Sequence, residues 1–198
     1  MHVIALGCGP GPEIAAAEHH FPVLTALGID SFNWSHAVRS FTSRDFGFNK
    51  EIRFQQRAVN KGFVVELQSH IYPRLPCRYT SPLALAPFFL VIAQCLLFDL
   101  SKATEPYTTF FEDYASLFNK FPSMMLLVIE NGGSERCNFL HRGARTLERK
   151  VQSAKCELIQ PGHGCMIDNI ELQNVLFLLP RTALQRPISL SDLISASR

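Results

Sequence analysis

The chain opens on a short apolar run, Val3-Ile4-Ala5-Leu6, that stops at Gly7-Cys8-Gly9-Pro10-Gly11 and resumes as Pro12 followed by Glu13-Ile14-Ala15-Ala16-Ala17. Three glycines in five positions let the backbone take left-handed φ values and remove the Cβ atoms that would hold a ligand away. Pro12 suits a first helical position, where its missing N–H would have no partner. The alanines after it have high helix propensity. The segment predicts a strand, a glycine turn and a helix in direct succession. That commits the chain to layered α/β architecture with one strand end open to a ligand.

The rest of the chain keeps the same rhythm. A second apolar run, Val23 to Ile29, ends in Asp30, and Trp34 to Val38 reads as a helix start. From Thr42 to Gly62 the sequence is basic and polar, and the third strand has two candidates, Ile52 to Gln55 and Phe63 to Leu67. The second is preferred, because four of its five residues are apolar and most suit strands. A turn-rich stretch, IYPRLPCRYTSP, leads to a short helix before Pro87 and then a buried strand, Phe88 to Ala93. Within Glu105 to Phe121, the residues Phe110, Tyr114, Leu117, Phe118 and Phe121 recur at three- and four-residue spacings, the mark of one apolar helical face. Met124 to Ile129 reads as a strand, Arg136 to Lys155 as a basic helix, and Cys156 to Ile159 and Val175 to Leu179 as strands separated by a loop containing PGHG. The tail after Pro180 carries no pattern. Strands alternating with helices predict a mostly parallel sheet with helices on both faces. Ligands of such sheets bind outside the carboxyl ends of the strands, where the glycine loop, Asp30, Gln94 and Glu130 all fall.

Size and composition narrow the function classes. A chain of 198 residues predicts one domain, residues 1–198. It is 47% hydrophobic and 18% charged, enough for a buried sheet, and its net charge of +2 does not by itself imply a nucleic-acid partner. The six cysteines, Cys8, Cys77, Cys95, Cys137, Cys156 and Cys165, form no C-x-x-C pair, so no metal site is expected. Several sit in apolar runs, as buried thiols do in a reducing compartment. The N-terminus has no basic leader, which predicts a cytoplasmic protein. It also starts almost directly on a strand, which leaves a truncated gene product open as a reading. Ser81 to Phe98 lacks charge and reaches the lower edge of a membrane span. Pro82 and Pro87 would break such a helix, so no membrane is expected and the membrane-anchored reading is the alternative.

The dinucleotide fingerprint is G-x-G-x-x-G, and here its third glycine is Pro12. A nicotinamide-dependent oxidoreductase is disfavoured on that ground. The G-x-G-x-G spacing of Gly7, Gly9 and Gly11, in the string LGCGPG, instead resembles motif I of the class I, Rossmann-like S-adenosylmethionine-dependent methyltransferases. The resemblance runs from Met1 to about Pro180. It implies S-adenosylmethionine as cofactor, held by Gly7, Cys8, Gly9 and Gly11, with Asp30 on the ribose hydroxyls and Gln94, beside Cys95, near the transfer site. It also implies that the last two strands form a C-terminal antiparallel hairpin. Three positions depart from the family pattern. Ala5 stands where an acid is usual, and the third strand lacks its acid, leaving Gln68 or Gln55 to bond adenine. No Asn-Pro-Pro-Tyr-like signature follows the fourth strand, which argues against DNA as substrate.

The implied activity is methyl transfer to an O, N or S acceptor on a small molecule, a protein or RNA. The alternative from another class is a non-catalytic Rossmann-like binding or scaffold protein. Bland readings stand beside the sharp ones. Asp30 also reads as a turn or N-cap aspartate, and Trp34 as a core residue rather than an adenine platform. Asp99 and Glu130 read as solvated carboxylates or as a general base. The basic run from Arg136 to Lys155 reads as a solvated face or an RNA contact.

Overall fold

The computed structural model describes residues 1–21, 23, 25–37, 51–71, 89–121, 124–131, 133–152, 154–159, 166–167, 170–171 and 174–180. Its strands are β1 (His2–Leu6), β2 (Thr25–Asp30), β3 (Glu51–Gln56), β4 (Phe89–Gln94), β5 (Met124–Glu130), β6 (Ala154–Ile159) and β7 (Asn174–Pro180). Its helices are α1 (Pro12–His20), α2 (Phe63–Ile71), α3 (Leu96–Lys102), α4 (Phe110–Lys120) and α5 (Ser134–Lys150). The seven strands form one sheet in the order β3-β2-β1-β4-β5-β7-β6. The first five are parallel, and β7 inserts antiparallel between β5 and β6. The predicted fold class, a mostly parallel sheet ending in an antiparallel hairpin, is therefore the observed one. A separate two-residue antiparallel ladder pairs Met166–Ile167 with Ile170–Glu171 between β6 and β7.

After β3 the chain crosses back over β2 and β1 to place β4 on the other side of β1. The strand order thus reverses at β1 and β4, and the carboxyl ends there diverge into a crevice. Leu6, the last residue of β1, lies opposite Ile29 on one side and Ala93 on the other. The glycine loop consequently leaves the sheet at the switch point.

Helices occupy both faces. On one, Phe63, Leu67, Phe110, Tyr114, Phe118, Leu140 and Leu147 from α2, α4 and α5 cover Ile4, Ile29, Val91, Leu126 and Val128 of the sheet. On the other, Ile14 and Ala17 of α1 pack on Val3, Ala5, Ala26, Leu90 and Ile92. β1 and β4 are buried on both faces, which accounts for their unbroken apolar runs. β5 differs: Met124, Leu126, Val128 and Glu130 are buried while Met125, Leu127 and Ile129 on the α1 side are only partly so. The predicted apolar face of α4 is buried as expected, although the helix begins at Phe110 rather than Glu105. Phe118 is fully buried at its centre. Phe118→Ala is expected to cost about 3–5 kcal/mol in urea unfolding, the usual range for emptying a buried aromatic site. A loss under 1 kcal/mol would show that α4 is not packed as described.

One strand assignment is corrected. The third strand is β3, at the first candidate, and Phe63 to Leu67 belongs to α2. The preference failed because a five-residue window sees only apolar content. Extended to Ile71, the run Phe63, Val64, Leu67, Ile71 follows a helical period and its residues are buried on one side. β3 is an edge strand, so it needs only half an apolar face: Ile52 and Phe54 pack inward while Arg53 is exposed. The helix α3, immediately after β4, was not anticipated.

Among the described residues no helix is long and apolar enough to cross a membrane. The apolar stretch from 89 to 98 is divided between β4 and α3, and 81–88 lie outside the described residues. Of the helix expected at Trp34, residues 35–37 form a single turn and Val38 lies outside the description. The expected helix before Pro87, the PGHG loop and the tail also fall outside it.

Candidate functional site

Gly7, Gly9 and Gly11 take φ values of +63°, +49° and +87°, so the loop has the left-handed conformations that its glycines permit. The loop is tied to its neighbour strand: the N–H groups of Gly7 and Cys8 both donate to the Ile29 carbonyl, at 2.8 and 3.1 Å. Gly11 N–H donates to the Cys8 carbonyl at 2.8 Å. Asp30, 8% exposed at the end of β2, completes the anchorage. Its Oδ2 accepts from Gly9 N–H at 2.9 Å and its Oδ1 from Phe32 N–H at 2.8 Å. A Cβ at Gly7 would come within 3.0 Å of Leu96, but one at Gly9 would meet nothing within 4 Å. Gly9 is therefore the point at which the loop is open to an incoming group.

Cys8 points the other way. It is buried, its Sγ packs under the loop where a Cβ on Gly28 would lie only 2.9 Å from it, and it donates weakly to Gly9 O at 3.4 Å. Burial, with the nearby carboxylates of Glu13 and Asp30, pushes its thiol up to about 12. It serves as footing for the loop, and the thiol stays protonated.

Beside the loop stands a residue that sequence reasoning passed over. Glu13, in the first turn of α1, is 8% exposed, and its Oε1 is sealed from solvent without a hydrogen-bond partner. Burial, opposed by a hydrogen bond from its own backbone N–H and reinforced by repulsion from Asp30, pushes its carboxyl up to about 7. In the sequence it looks like an ordinary acid favouring a helix N-terminus. Only the packing of α1 on the sheet turns it inward.

Gln94 ends β4 beside Ile129 of β5 and is half-buried. Cys95 follows in a left-handed conformation, φ +54°, and its N–H donates to the Ile129 carbonyl at 2.8 Å. This crossing repeats what Gly7 and Cys8 do toward Ile29, here with a non-glycine residue, for which the conformation is strained. Glu130, at the end of β5, is 1% exposed, and its Oε1 accepts from Leu97 N–H at 2.7 Å at the start of α3. Its burial raises its carboxyl above the ordinary range. Glu130 thus anchors a helix and is not a solvated carboxylate, while Asp99 lies exposed on α3. Gln68 lies in α2; of the two adenine candidates only Gln55 is on β3, while Gln56 is the residue opposite Asp30. Phe32 and Trp34, just beyond Asp30, are exposed, so Trp34 is not a core residue. Among the described residues no cluster of histidine, cysteine or carboxylate side chains fits a metal ion.

A cavity of about 350 Å³ lies between α1 and the open side of β4 and β5. Ala16, Leu90, Ile92, Leu127 and Ile129 form its apolar walls, and Glu13, Gln94 and His20 its polar ones. Pro12, next to Gly11, also borders it, so the cavity adjoins the glycine loop.

No protein-family model and no curated protein matches the sequence. Solved structures do match the fold. The precorrin-6y C5,15-methyltransferase of Geobacter metallireducens is 10% identical, with 91% of this chain and 79% of that one covered, at a TM-score of 0.55. An O-methyltransferase family protein of Burkholderia thailandensis is 13% identical at a TM-score of 0.54, over 91% of this chain, which spans only 51% of it. An rRNA methylase of Streptococcus thermophilus is 14% identical at 0.52, with 90% and 87% covered. At such identities likeness speaks to fold alone, and the fold of this chain is that of the class I S-adenosylmethionine-dependent methyltransferases.

Proposed function

We propose that residues 1–198 form one domain that binds S-adenosylmethionine at the glycine loop and transfers its methyl group to an acceptor. The observation that carries this reading is how the loop spends its polar groups. A dinucleotide needs free backbone N–H groups for its pyrophosphate. Here Gly9 N–H is held by Asp30, Gly11 N–H by the Cys8 carbonyl, and Pro10 and Pro12 have none. Two carboxyl groups, Asp30 and Glu13, stand behind the loop and would repel a phosphate. Close approach at Gly9 without anion donors, in an acidic setting, suits a ligand that is cationic and free of phosphate. S-adenosylmethionine, with its sulfonium, is such a ligand.

Bound there, the cofactor supplies an electrophilic methyl group. The chain's own residues hold and orient it. Gly9 admits its amino-acid end, and Asp30 keeps lone pairs on both oxygens for ribose hydroxyls, because a carboxylate has about four acceptor sites. Phe32 and Trp34 offer aromatic faces on the adenine side, and Gln94 borders the acceptor. The free thiols Cys8, Cys95, Cys137 and Cys156 suit a reducing compartment, the cytoplasm. DNA is not proposed as the acceptor.

Calorimetric titration with S-adenosylmethionine, S-adenosylhomocysteine and NAD tests the reading. Micromolar binding of the first two and none of NAD is expected. Gly9→Trp, which fills the open ground above the loop, should weaken both at least ~100-fold, about 2.7 kcal/mol. A folded protein that ignores S-adenosylmethionine, or that binds it equally well with Trp at position 9, would overturn the proposal.

A further inference from the structure

The cavity beside α1 is of ligand size, and its chemistry is unevenly distributed. At about 350 Å³ it falls within the range of small-molecule sites. Its walls are chiefly aliphatic, from Leu90, Ile92, Leu127 and Ile129. β5 leaves Leu127 and Ile129 only partly covered there, whereas the residues of its other face are fully buried. Against this apolar floor stands one carboxyl group, Glu13, more than nine-tenths buried, with an oxygen that has no hydrogen-bond partner.

A buried carboxyl oxygen without a donor is costly to keep. Neutral apolar ligands would fill the cavity and leave that cost in place. A ligand carrying an ammonium group would offset it by pairing with the carboxyl, because a charge-assisted bond is among the strongest single contacts a protein offers. Asp30, at the end of β2, adds negative potential at Glu13, which disfavours an anion and favours a cation. Gln94 supplies a second polar contact at the carboxyl end of β4, and Pro12 brings the cavity up to the glycine loop.

We infer that this cavity binds a small amine with an apolar body, its nitrogen paired with Glu13 and its body lying on Leu90, Ile92 and Leu127. The further identification of this amine as the methyl acceptor rests on the methyl-transfer reading; the binding does not.

The test is protein-observed NMR of the whole chain at pH 8 without cofactor, following the methyl signals of Leu90, Ile92 and Leu127. The probes are tryptamine and its neutral counterpart tryptophol, which share a ring system and differ in the amine. Tryptamine is expected to shift these signals with at least about tenfold higher affinity than tryptophol. Glu13→Gln should bring the two probes to equal affinity, and Leu127→Trp, which fills the cavity from a partly exposed strand position, should abolish both. Equal binding of both probes to the unaltered protein would overturn the amine and leave an apolar docking face. Tryptamine preference that survives Glu13→Gln, or shifts that survive Leu127→Trp, would likewise overturn the site. Titration of the same preparation with S-adenosylmethionine reports on the cofactor separately. A protein that ignores it yet discriminates tryptamine through Glu13 keeps the amine site and loses only its link to methyl transfer.

Discussion

Asp30→Ala is expected to destabilise the protein by roughly 3–6 kcal/mol and to abolish S-adenosylmethionine binding in calorimetry. The stability loss follows from two charge-assisted hydrogen bonds, each contributing about 1.5–3 kcal/mol. Asp30 accepts from Gly9 N–H and Phe32 N–H, and alanine leaves both donors without that partner. The binding loss follows from the same geometry. Gly9 N–H is pinned to β2 by this carboxylate, so its removal frees the loop at the point where a cofactor would approach most closely. Urea unfolding and calorimetry read the two effects separately. A variant within 0.5 kcal/mol of the parent would show that Asp30 does not hold the loop. A stable loop with intact cofactor binding would show that it does not hold the ribose either.

Glu13→Gln should act in the opposite direction on stability, and only above a certain pH. Burial raises the Glu13 carboxyl from 4.5 to about 7. Between these values the folded state holds a proton that the unfolded state has released. Stability therefore falls as pH rises from 4.5 to 7, and is flat above, where both states are ionised. Two and a half pH units correspond to about 3 kcal/mol as an upper bound. Glutamine cannot ionise, so the variant should match the parent near pH 4.5 and exceed it at pH 8. The expected rise in melting temperature at pH 8 is about 4–10 °C. An equal gap at both pH values would mean that Glu13 is not titrating between them. Together with the loss of tryptamine discrimination, this gain would make Glu13 a residue kept at a cost in stability. Surplus stability gained by losing a function is the pattern expected of a functional site.

The legible parts of the sequence were those in which one local signal was sufficient. The glycine loop declared itself because strand, glycines and a helix-starting proline are adjacent. β4 declared itself because a strand buried on both faces reads as an apolar run, and β5 because every residue before Glu130 is apolar. The amphipathic face of α4 was visible because Phe110, Tyr114, Leu117 and Phe118 repeat within a single helix. β3 was missed because an edge strand needs only every second residue apolar, and Arg53 and Gln55 diluted it below the more apolar start of α2. α3 was missed because its apolar residues follow those of β4 without punctuation; the break is Cys95, whose left-handed backbone no residue type announces.

The candidate site divides along the same line. Gly7, Gly9, Gly11, Asp30 and Gln94 were placed at strand ends by sequence alone, since strand ends can be read from where apolar runs stop. Which way each side chain turns was decided by tertiary structure. Cys8 is directed under the loop by its contact with Gly28, Glu130 is absorbed by the start of α3, and Glu13 is buried against the sheet by the seating of α1. Local sequence determined the order of strands and helices and the position of the loop, because these depend on residues a few places apart. The charge and openness of the site depend on which groups from β2, β4, β5 and α1 meet across the switch point. Those contacts span tens of residues, and only the packed sheet brings them together.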